Sequence, residues 1–282
     1  MISVLQLGTV DYSTGLLLQQ RLVELRKAGR IGDVLLLLEH PPVITLGRNA
    51  QQKNIVAPPE VRLQLGVEVF ESDRGGDVTF HGPGQIVGYP IFDLRGIATP
   101  DGKRKTLGAI EYVRRLEEVL IRTSADFGIS AARICGLTGV WTNPQTLSSR
   151  AEQNHSPANS SAESRDLVFP EAKIAAIGVH ISGAVTSHGF ALNVNTDLDY
   201  FNLIIPCGIT TKPVTSMAKE LGKELSLQDV AHSISRNFGV VFESQMLWLE
   251  SLDALLGNSV GVPMRTPEPL RQLHKEEDTF WA

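Results

Sequence analysis

The chain has 282 residues, of which 42% are hydrophobic and 20% are charged, a composition typical of a globular protein with one large domain or two modest ones. Its 26 Lys and Arg residues against 31 Asp and Glu residues give a formal net charge of -5. This acidic balance argues against sequence-independent nucleic-acid binding, which needs a basic face.

The sequence has no apolar run long enough to span a membrane, and residues 1–13 lack the basic start of a signal peptide. Its two cysteines, Cys135 and Cys207, form no C-x-x-C pattern and no disulfide framework. The seven histidines include no H-E-x-x-H, and neither nucleotide-binding glycine fingerprint occurs. We therefore expect a cytoplasmic protein with free thiols, no metal site, no cofactor and no membrane contact.

Apolar runs bounded by Gly, Pro or polar clusters predict strands along the chain. In chain order they are Ile2–Leu7, Asp33–Glu39, Val43–Leu46, Gly66–Phe70, Gln85–Leu94, Ile174–Ile181, Gly189–Val194 and Asn202–Ile205. Helical periodicity predicts three helices, at Ser13–Ala28 with Asp11 as cap, Thr106–Asp126 and Ser226–Phe238. Because strands outnumber helices without alternating with them, the expected fold class is α+β, a large mixed sheet flanked by helices.

One segment, residues 143–170, is rich in Ser, Asn, Pro and Glu and almost free of apolar residues. Such a segment cannot bury enough surface to offset its ordering entropy, so we expect a mobile surface insertion. The sequence predicts a single catalytic domain over residues 1–245 that contains this insertion. Residues 246–282, whose end is charged and proline-bearing, are predicted to form a peripheral extension.

The segment at residues 73–85 holds four glycines and a proline, which allow a tight backbone path close to a ligand. A plain hairpin connection between two strands would also explain these glycines. Arg74 and His81 flank the turn, however, and a plain turn needs neither. The segment is therefore a candidate binding loop.

Cys207 lies between Pro206 and Gly208, after a short apolar run that reads as a strand. A buried, inert thiol is the ordinary interpretation of such a residue. Lys173 opens another apolar strand, where a lysine more often extends its amine to water. If the two side chains met, an ammonium would favour the thiolate and the pair would form a nucleophile and a base. Nothing local in the sequence decides between these alternatives.

Together these segments resemble one family, the lipoyl (octanoyl) transferases, over roughly residues 1–240. The segments that carry the resemblance are EHPPVITLGR at 39–48, RGGDVTFHGPGQ at 74–85, GVW at 139–141, KIAAIG at 173–178, HGFALN at 188–193 and IPCGI at 205–209. Six such segments in the family's order are a specific signal. The resemblance implies a fold like that of biotin and lipoate protein ligases.

The resemblance also implies the reaction, in which an octanoyl group moves from octanoyl-acyl carrier protein to an enzyme cysteine and then to a lysine of a lipoyl domain. The implied acceptors are the lipoyl domains of 2-oxoacid dehydrogenase E2 subunits and the glycine cleavage H protein. By motif match, Cys207 is the implied acyl-thioester nucleophile and Lys173 the residue that lowers its pKa and manages protons. The implied substrate-binding residues are Arg74, Gly75, Gly76, Asp77, Val78, Thr79, Phe80, His81, Ala176, Ile177, Gly178, Gly189, Phe190 and Ala191.

The implied chemistry fits these residue types. A thiol stores an acyl group by thioester exchange without a nucleotide, and a base is needed in each half-reaction. Glycine and alanine in the wall are expected to leave room for a linear apolar chain. Three alternatives stay open: an ATP-dependent lipoate or biotin ligase of the same fold, a cysteine thioesterase, and a non-catalytic acyl-binding or lipoyl-domain-binding protein.

Overall fold

A computed structural model describes residues 1–98, 104–143, 171–206 and 212–256. The strands in these residues are β1 Ile2–Thr9, β2 Asp33–Glu39, β3 Val43–Leu46, β4 Glu68–Glu71, β5 Val78–His81, β6 Gln85–Ile91, β7 Ile97–Ala98, β8 Arg104–Lys105, β9 Ala131–Ile134, β10 Leu137–Thr142, β11 Lys173–Ser182, β12 Val185–Asn193 and β13 Met246–Trp248. The helices are α1 Tyr12–Lys27, α2 Pro59–Gln64, α3 Ala109–Asp126, α4 Met217–Leu221, α5 Leu227–Val241 and α6 Leu252–Leu256.

Eight strands form a mixed sheet in the order β13-β1-β2-β6-β12-β11-β10-β9. Strand β2 shows why the sheet is covered on both faces. Its Leu35 and Leu37 belong to one core cluster, and its Leu36 and Leu38 belong to another. Because successive side chains of a strand point to opposite faces, the unbroken leucine run requires a layer on each side of the sheet.

Helices supply those two layers. Leu116 and Leu120 of α3 and Ile234 of α5 are fully buried in the cluster on one face. Leu18 and Leu22 of α1 are buried in the cluster on the other face. The predicted α+β class, with a large mixed sheet flanked by helices, is confirmed.

A smaller sheet, in the order β4-β3-β5, lies beside the large one. On β5 the side chains alternate: Val78 and Phe80 enter a third apolar cluster, which also contains Leu203 and Ile204. Thr79 and His81 point the other way and are buried as well. One face of the small sheet is thus free to face the large sheet.

The predicted strand at 202–205 is wrong. Leu198–Leu203 forms a 3-10 helix, and Ile204 makes only an isolated bridge to Ile55. Asp197 caps this turn by accepting a hydrogen bond from the Asp199 N–H at 3.0 Å. The local capping contact, which the apolar run did not reveal, favours a helical turn over an extended chain.

Three other predictions differ from the structure in part or lie outside the described residues. The helix at α1 is found, but Asp11 makes no side-chain capping bond. The boundary drawn at residue 245 does not coincide with the edge of the sheet, because β13 pairs with β1 and Leu252 is buried against the α1 layer. The predicted insertion, apart from Asn143, lies outside the described residues.

Candidate active site

A cavity lies between the large sheet and β5, with α1 closing one side. Its volume, including the open mouth, is about 470 Å³. Its wall is formed by Tyr12, Arg74, Gly76, Thr79, His81, Val87, Tyr89, Ala176, Ile177, Gly178, His188, Gly189, Phe190 and Ala191. We call this space the acyl cavity, after the acyl group that the family resemblance implies.

Ten of the fourteen residues implied for substrate binding lie on this wall. The other four do not line it: Gly75, Asp77, Val78 and Phe80. Val78 and Phe80 point into the third apolar cluster, where the Phe80 ring stacks on Tyr200 at 4.9 Å between centroids. Asp77 accepts hydrogen bonds from the Gln51 N–H at 3.1 Å and the Asn54 side chain at 2.5 Å. These four residues support the wall from behind.

Arg74 fixes the loop that carries the first part of the wall. Its guanidinium donates to the Thr45 backbone oxygen at 2.7 Å, to the Thr45 hydroxyl at 2.9 Å and to the Asp77 backbone oxygen at 2.7 Å. Its backbone oxygen accepts from the Arg48 N–H at 3.0 Å, and the Gly75 N–H donates to Val179 at 3.0 Å. The loop is therefore attached both to the small sheet and to β11.

The glycines of the wall have a different role from the one expected. A Cβ atom on Gly178 would lie 2.6 Å from the Gly75 backbone oxygen, and one on Gly189 would lie 2.2 Å from the Gly88 backbone oxygen. Side chains at these positions are excluded by neighbouring backbone. The expectation that these two glycines leave room for a ligand chain is wrong, because protein atoms fill that room.

At one end of the cavity, four buried rings pack together. The His40 Nδ1–H donates to the Val10 backbone oxygen at 2.5 Å, so its Nε2 accepts from the Tyr89 hydroxyl at 2.6 Å. The His81 and Tyr12 rings stack at 6.2 Å. Burial lowers the pKa of His40 to about 4. Both hydrogen bonds of His40 are thus those of a neutral imidazole.

His81 is neutral for similar reasons. Burial, followed by the charges of His40 and Arg74, lowers the pKa of His81 to about 3. Its ring nitrogen Nδ1 lies 2.7 Å from the Gln85 Oε1, and the Gln85 amide donates to the Asn193 Oδ1 at 2.8 Å. Because Oε1 can only accept, the His81 proton is on Nδ1. This end of the cavity carries no histidine charge at neutral pH.

Lys173 lies at the other end, at the first position of β11. The residue is 7% exposed, and its Nζ stands 5.1 Å from the centroid of the Trp141 ring. Its side chain crosses Gly139, where a Cβ atom would lie 2.8 Å from the lysine Cε. Gly139 has a φ of +126° and its N–H donates to the buried Glu117 at 3.2 Å. Because residue 139 is a glycine, the space beside it is open to the lysine side chain.

A second, smaller cavity, of about 290 Å³ including open solvent, connects Lys173 with the acyl cavity. Thr79, Ala176 and Ala191 line both spaces. Pro206 and Val214 also line the smaller one, which we call the lysine cavity. The two cavities therefore adjoin, with Lys173 at one end and the four rings at the other.

The chain on either side of Cys207 is attached next to this lysine. The Ile205 N–H donates to the Asn54 backbone oxygen at 2.7 Å. Beyond the gap, the Lys173 N–H donates to Pro213 at 2.8 Å and its backbone oxygen accepts from Thr215 at 2.9 Å. Cys207 itself lies outside the described residues.

Several wall residues were not identified from the sequence. Tyr12, Val87 and Tyr89 carried no motif that marks a site, and His188 was quoted only as the first residue of a motif. Gln85 and Asn193 line the lysine cavity and were quoted only as parts of motifs. Among the described residues, no group of three or more His, Cys, Asp or Glu side chains is arranged to hold a metal ion.

These features define a class of protein: an α+β enzyme-like fold in which a narrow, largely apolar cavity ends beside a buried lysine. Residues 11–239 match the family described as the lipoyl protein ligase A/B catalytic domain, and the chain belongs to this family. Within the described residues, no helix combines the length and the apolar character needed to cross a lipid bilayer.

The chain is similar to two curated proteins named octanoyltransferase. One, from Koribacter versatilis, is 59% identical over 277 residues, which are 98% of each chain. The other, from Acidobacterium capsulatum, is 54% identical over 257 residues, which are 90% of this chain and 96% of that one.

Solved structures of lipoate protein ligases share the fold. The bipartite ligase of Thermoplasma acidophilum aligns with a TM-score of 0.61 at 15% identity, covering 88% of this chain and 86% of that one. A lipoate-protein ligase A bound with ATP aligns with a TM-score of 0.61 at 14% identity, covering 89% of each chain. The predicted family and the predicted ligase-like fold are confirmed.

Proposed function

We propose that this chain transfers an octanoyl group from octanoyl-acyl carrier protein, through a thioester on Cys207, to a lysine amine of a lipoyl domain. The predicted activity, an octanoyltransferase, is confirmed at the level of the family by the names of relatives that match nearly the whole chain. The intermediate, the residue roles and the partners are the proposal.

One observation carries it. Pro206, which directly precedes Cys207, lines the same small cavity as Lys173, and that cavity adjoins the apolar one. Val214, close after the cysteine in sequence, bridges to Lys173 on the other side. The described residues nearest to Cys207 in sequence on each side therefore lie beside a buried lysine and next to the apolar cavity.

In the first half-reaction, the Cys207 thiolate attacks the thioester carbonyl of the carrier-bound octanoyl group. The new carbon–sulfur bond forms as the carbon–sulfur bond to the carrier breaks, and the departing carrier thiolate takes a proton from the Lys173 ammonium. A nearby ammonium favours the thiolate of Cys207, because opposite charge stabilises the ionised form. Lys173 is the group placed to supply that charge.

In the second half-reaction, the neutral amine of the acceptor lysine attacks the Cys207 thioester. An amide bond forms, the carbon–sulfur bond breaks, and the amine proton must leave. Lys173, having given a proton in the first half, can take one here, which returns the enzyme to its starting state. The acyl group passes between the partners without ATP.

The acyl cavity is the space that the proposal assigns to the acyl chain. Ala176 and Ala191 lie on paired positions of β11 and β12 where the two cavities meet, so small side chains border the passage. Beyond them, Ile177 and Phe190 give an apolar lining. Burying an alkyl chain there gains about 0.8 kcal/mol for each methylene group.

Intact-mass spectrometry tests the proposal. Mixing the protein with octanoyl-acyl carrier protein should add one octanoyl group, and adding a lipoyl domain should remove it and leave the domain heavier by the same mass. The Cys207→Ala variant should gain nothing. Cys135→Ser is the matched control, since Cys135 is exposed on the β9–β10 turn and should leave the adduct unchanged.

Each alternative gives a different result. An adduct lost only to water would indicate a thioesterase, and transfer that requires ATP and free octanoate would indicate a ligase. A wild-type protein that gains no mass refutes the thioester. For Lys173, the Arg variant keeps a positive charge but cannot act as a base at neutral pH, whereas the Met variant loses both. Equal acylation in all three proteins would exclude a role for this lysine.

A further inference from the structure

We infer that His188 sets the upper length of the acyl chain, because its imidazole separates the closed end of the acyl cavity from an open groove on the surface. The inference rests on the proposed octanoyl transfer. It adds a specificity-determining residue that neither the motifs nor the proposed reaction requires.

Two spaces meet at this histidine. The second is a surface groove between α1 and the Asp73 side of the glycine-rich loop, with a volume of about 1050 Å³ including open solvent. We call it the outer groove. Among the described residues that line either space, His188 alone lines both. The side chain is only 5% exposed, so it fills the partition between the two spaces.

The position of this partition leaves room for an octanoyl chain but not for a much longer one. Along β11 the acyl cavity begins at Ala176, where it meets the lysine cavity, and His188 pairs with Val179. Three residues of strand, at about 3.3 Å each, span roughly 10 Å. An extended eight-carbon acyl chain is about 9 Å long, from seven carbon–carbon bonds that each advance about 1.25 Å. A chain with four more carbons would reach the imidazole.

His188 is held in place through both its ring and its backbone. Its Nε2 lies 2.6 Å from the Asp73 Oδ1, and its backbone N–H donates to the Gln19 Oε1 at 2.6 Å. His188 has a φ of +55°, a left-handed conformation that a residue with a side chain keeps only where its surroundings enforce it. The contacts of Asp73 and Gln19 provide that enforcement.

Gln19 also indicates that the surroundings of His188 hold it in place. It is 2% exposed, and its Nε2 has no hydrogen-bond partner among the described residues. A buried amide with one unsatisfied arm destabilises a fold, so packing alone does not explain its presence. Its other arm is the one that fixes the backbone of His188.

The outer groove can accept the end of a longer chain once the partition is removed. Three apolar side chains line it: Leu16 and Val23 of α1 and Val185 of β12. A methyl end that passed the position of His188 would emerge against these groups. The remainder of the groove is polar and open, so an acyl chain gains little there while the His188 partition is in place.

The test compares acylation by octanoyl-, dodecanoyl- and hexadecanoyl-acyl carrier protein in the wild type and in His188→Gly, by initial rates from intact mass. Glycine suits the positive φ, so the change removes the ring without adding backbone strain. In the wild type, the ratio of the dodecanoyl rate to the octanoyl rate, here called the chain-length ratio, should be low. In H188G this ratio should rise at least about tenfold, since a single accommodated methylene alters selectivity by about 10–200-fold.

His180→Ala is the matched control. His180 also approaches Asp73, at 3.5 Å, and lines the outer groove but not the acyl cavity. The chain-length ratio of H180A should therefore stay at the wild-type value. If H188G does not fold, Asp73→Ala replaces it, because Asp73 is half-exposed and its loss releases the imidazole. A folded variant with the wild-type ratio overturns the inference alone. A wild type that accepts no octanoyl group overturns the proposed function together with it.

Discussion

Because His40 and His81 are buried, we expect the free energy of unfolding to fall in mild acid. His40 and His81 both have their pKa values lowered by burial, to about 4 and about 3 in the folded protein. An unfolded histidine titrates near pH 6.5. Between pH 6.5 and about 4 the unfolded chain therefore binds protons that the folded protein cannot, so unfolding becomes easier as the pH falls. Above pH 6.5 neither histidine makes stability depend on pH.

The size of the effect follows from these values. At pH 5, each histidine is about 1.5 units below its unfolded pKa, and one unit corresponds to about 1.36 kcal/mol, so each contributes a loss of about 2 kcal/mol. The two rings lie 5.9 Å apart and their titrations are linked. The expected loss for both is therefore about 2–4 kcal/mol. At about 2–4 °C for each kcal/mol, the melting temperature should fall by roughly 5–15 °C.

Thermal unfolding at constant ionic strength, measured at half-unit steps from pH 7.5 to pH 5, provides the test. His40→Asn removes one titrating ring while keeping an amide that can donate and accept. It should lower the melting temperature at pH 7.5 but flatten the dependence on pH. The depressed pKa of Asp73 acts only below about pH 4, outside this window. The reasoning fails if the wild-type melting temperature is constant over the range, or if H40N keeps the full slope.

Three substitutions extend these tests. Gly139→Ala would place a Cβ atom 2.8 Å from the Lys173 Cε at a φ of +126°, so we expect a loss of about 1–3 kcal/mol and slower acylation, by intact mass. Gly88→Ala would place a Cβ atom 2.1 Å from the Phe190 ring, so it should cost about 1–3 kcal/mol in urea unfolding. Asp77→Ala removes two hydrogen bonds behind the cavity wall, and should cost about 1–3 kcal/mol while leaving the chain-length ratio unchanged. A wild-type unfolding midpoint in any of them would contradict the corresponding contact.

Strand and helix positions were largely predictable wherever burial and local pattern agree. β2 and β3 match their predicted bounds, because their apolar runs end at abrupt polar or proline boundaries. The run at 202–205 was misassigned for the opposite reason. Leu203 and Ile204 are buried by tertiary contacts with the small sheet, and apolarity alone does not distinguish an extended segment from a helical turn.

Most residues of the cavity wall were named from sequence motifs, but their arrangement was not predictable. Lys173 and Val214 are 41 positions apart, and only the pairing of a segment beyond Cys207 with the start of β11 brings them together. No spacing rule links them. The alternation on β5 was equally hidden, since the motif at 74–81 gives no indication that Thr79 faces the cavity while Phe80 faces away.

The glycines of the wall show how the cavity comes to be narrow. Gly178 and Gly189 occupy paired positions on β11 and β12, and the space beside each is filled by a backbone oxygen from another segment. Their absence of side chains lets the glycine-rich loop lie directly on β11 and lets β6 and β12 approach closely. The ligand space is then bounded by Ala176 and Ala191, whose methyl groups are small but present. A cavity enclosed by such close backbone contacts has little freedom to widen, so chain length must be set at its ends. One end is the lysine cavity, and His188 lies at the other, beside Tyr89 of the four buried rings.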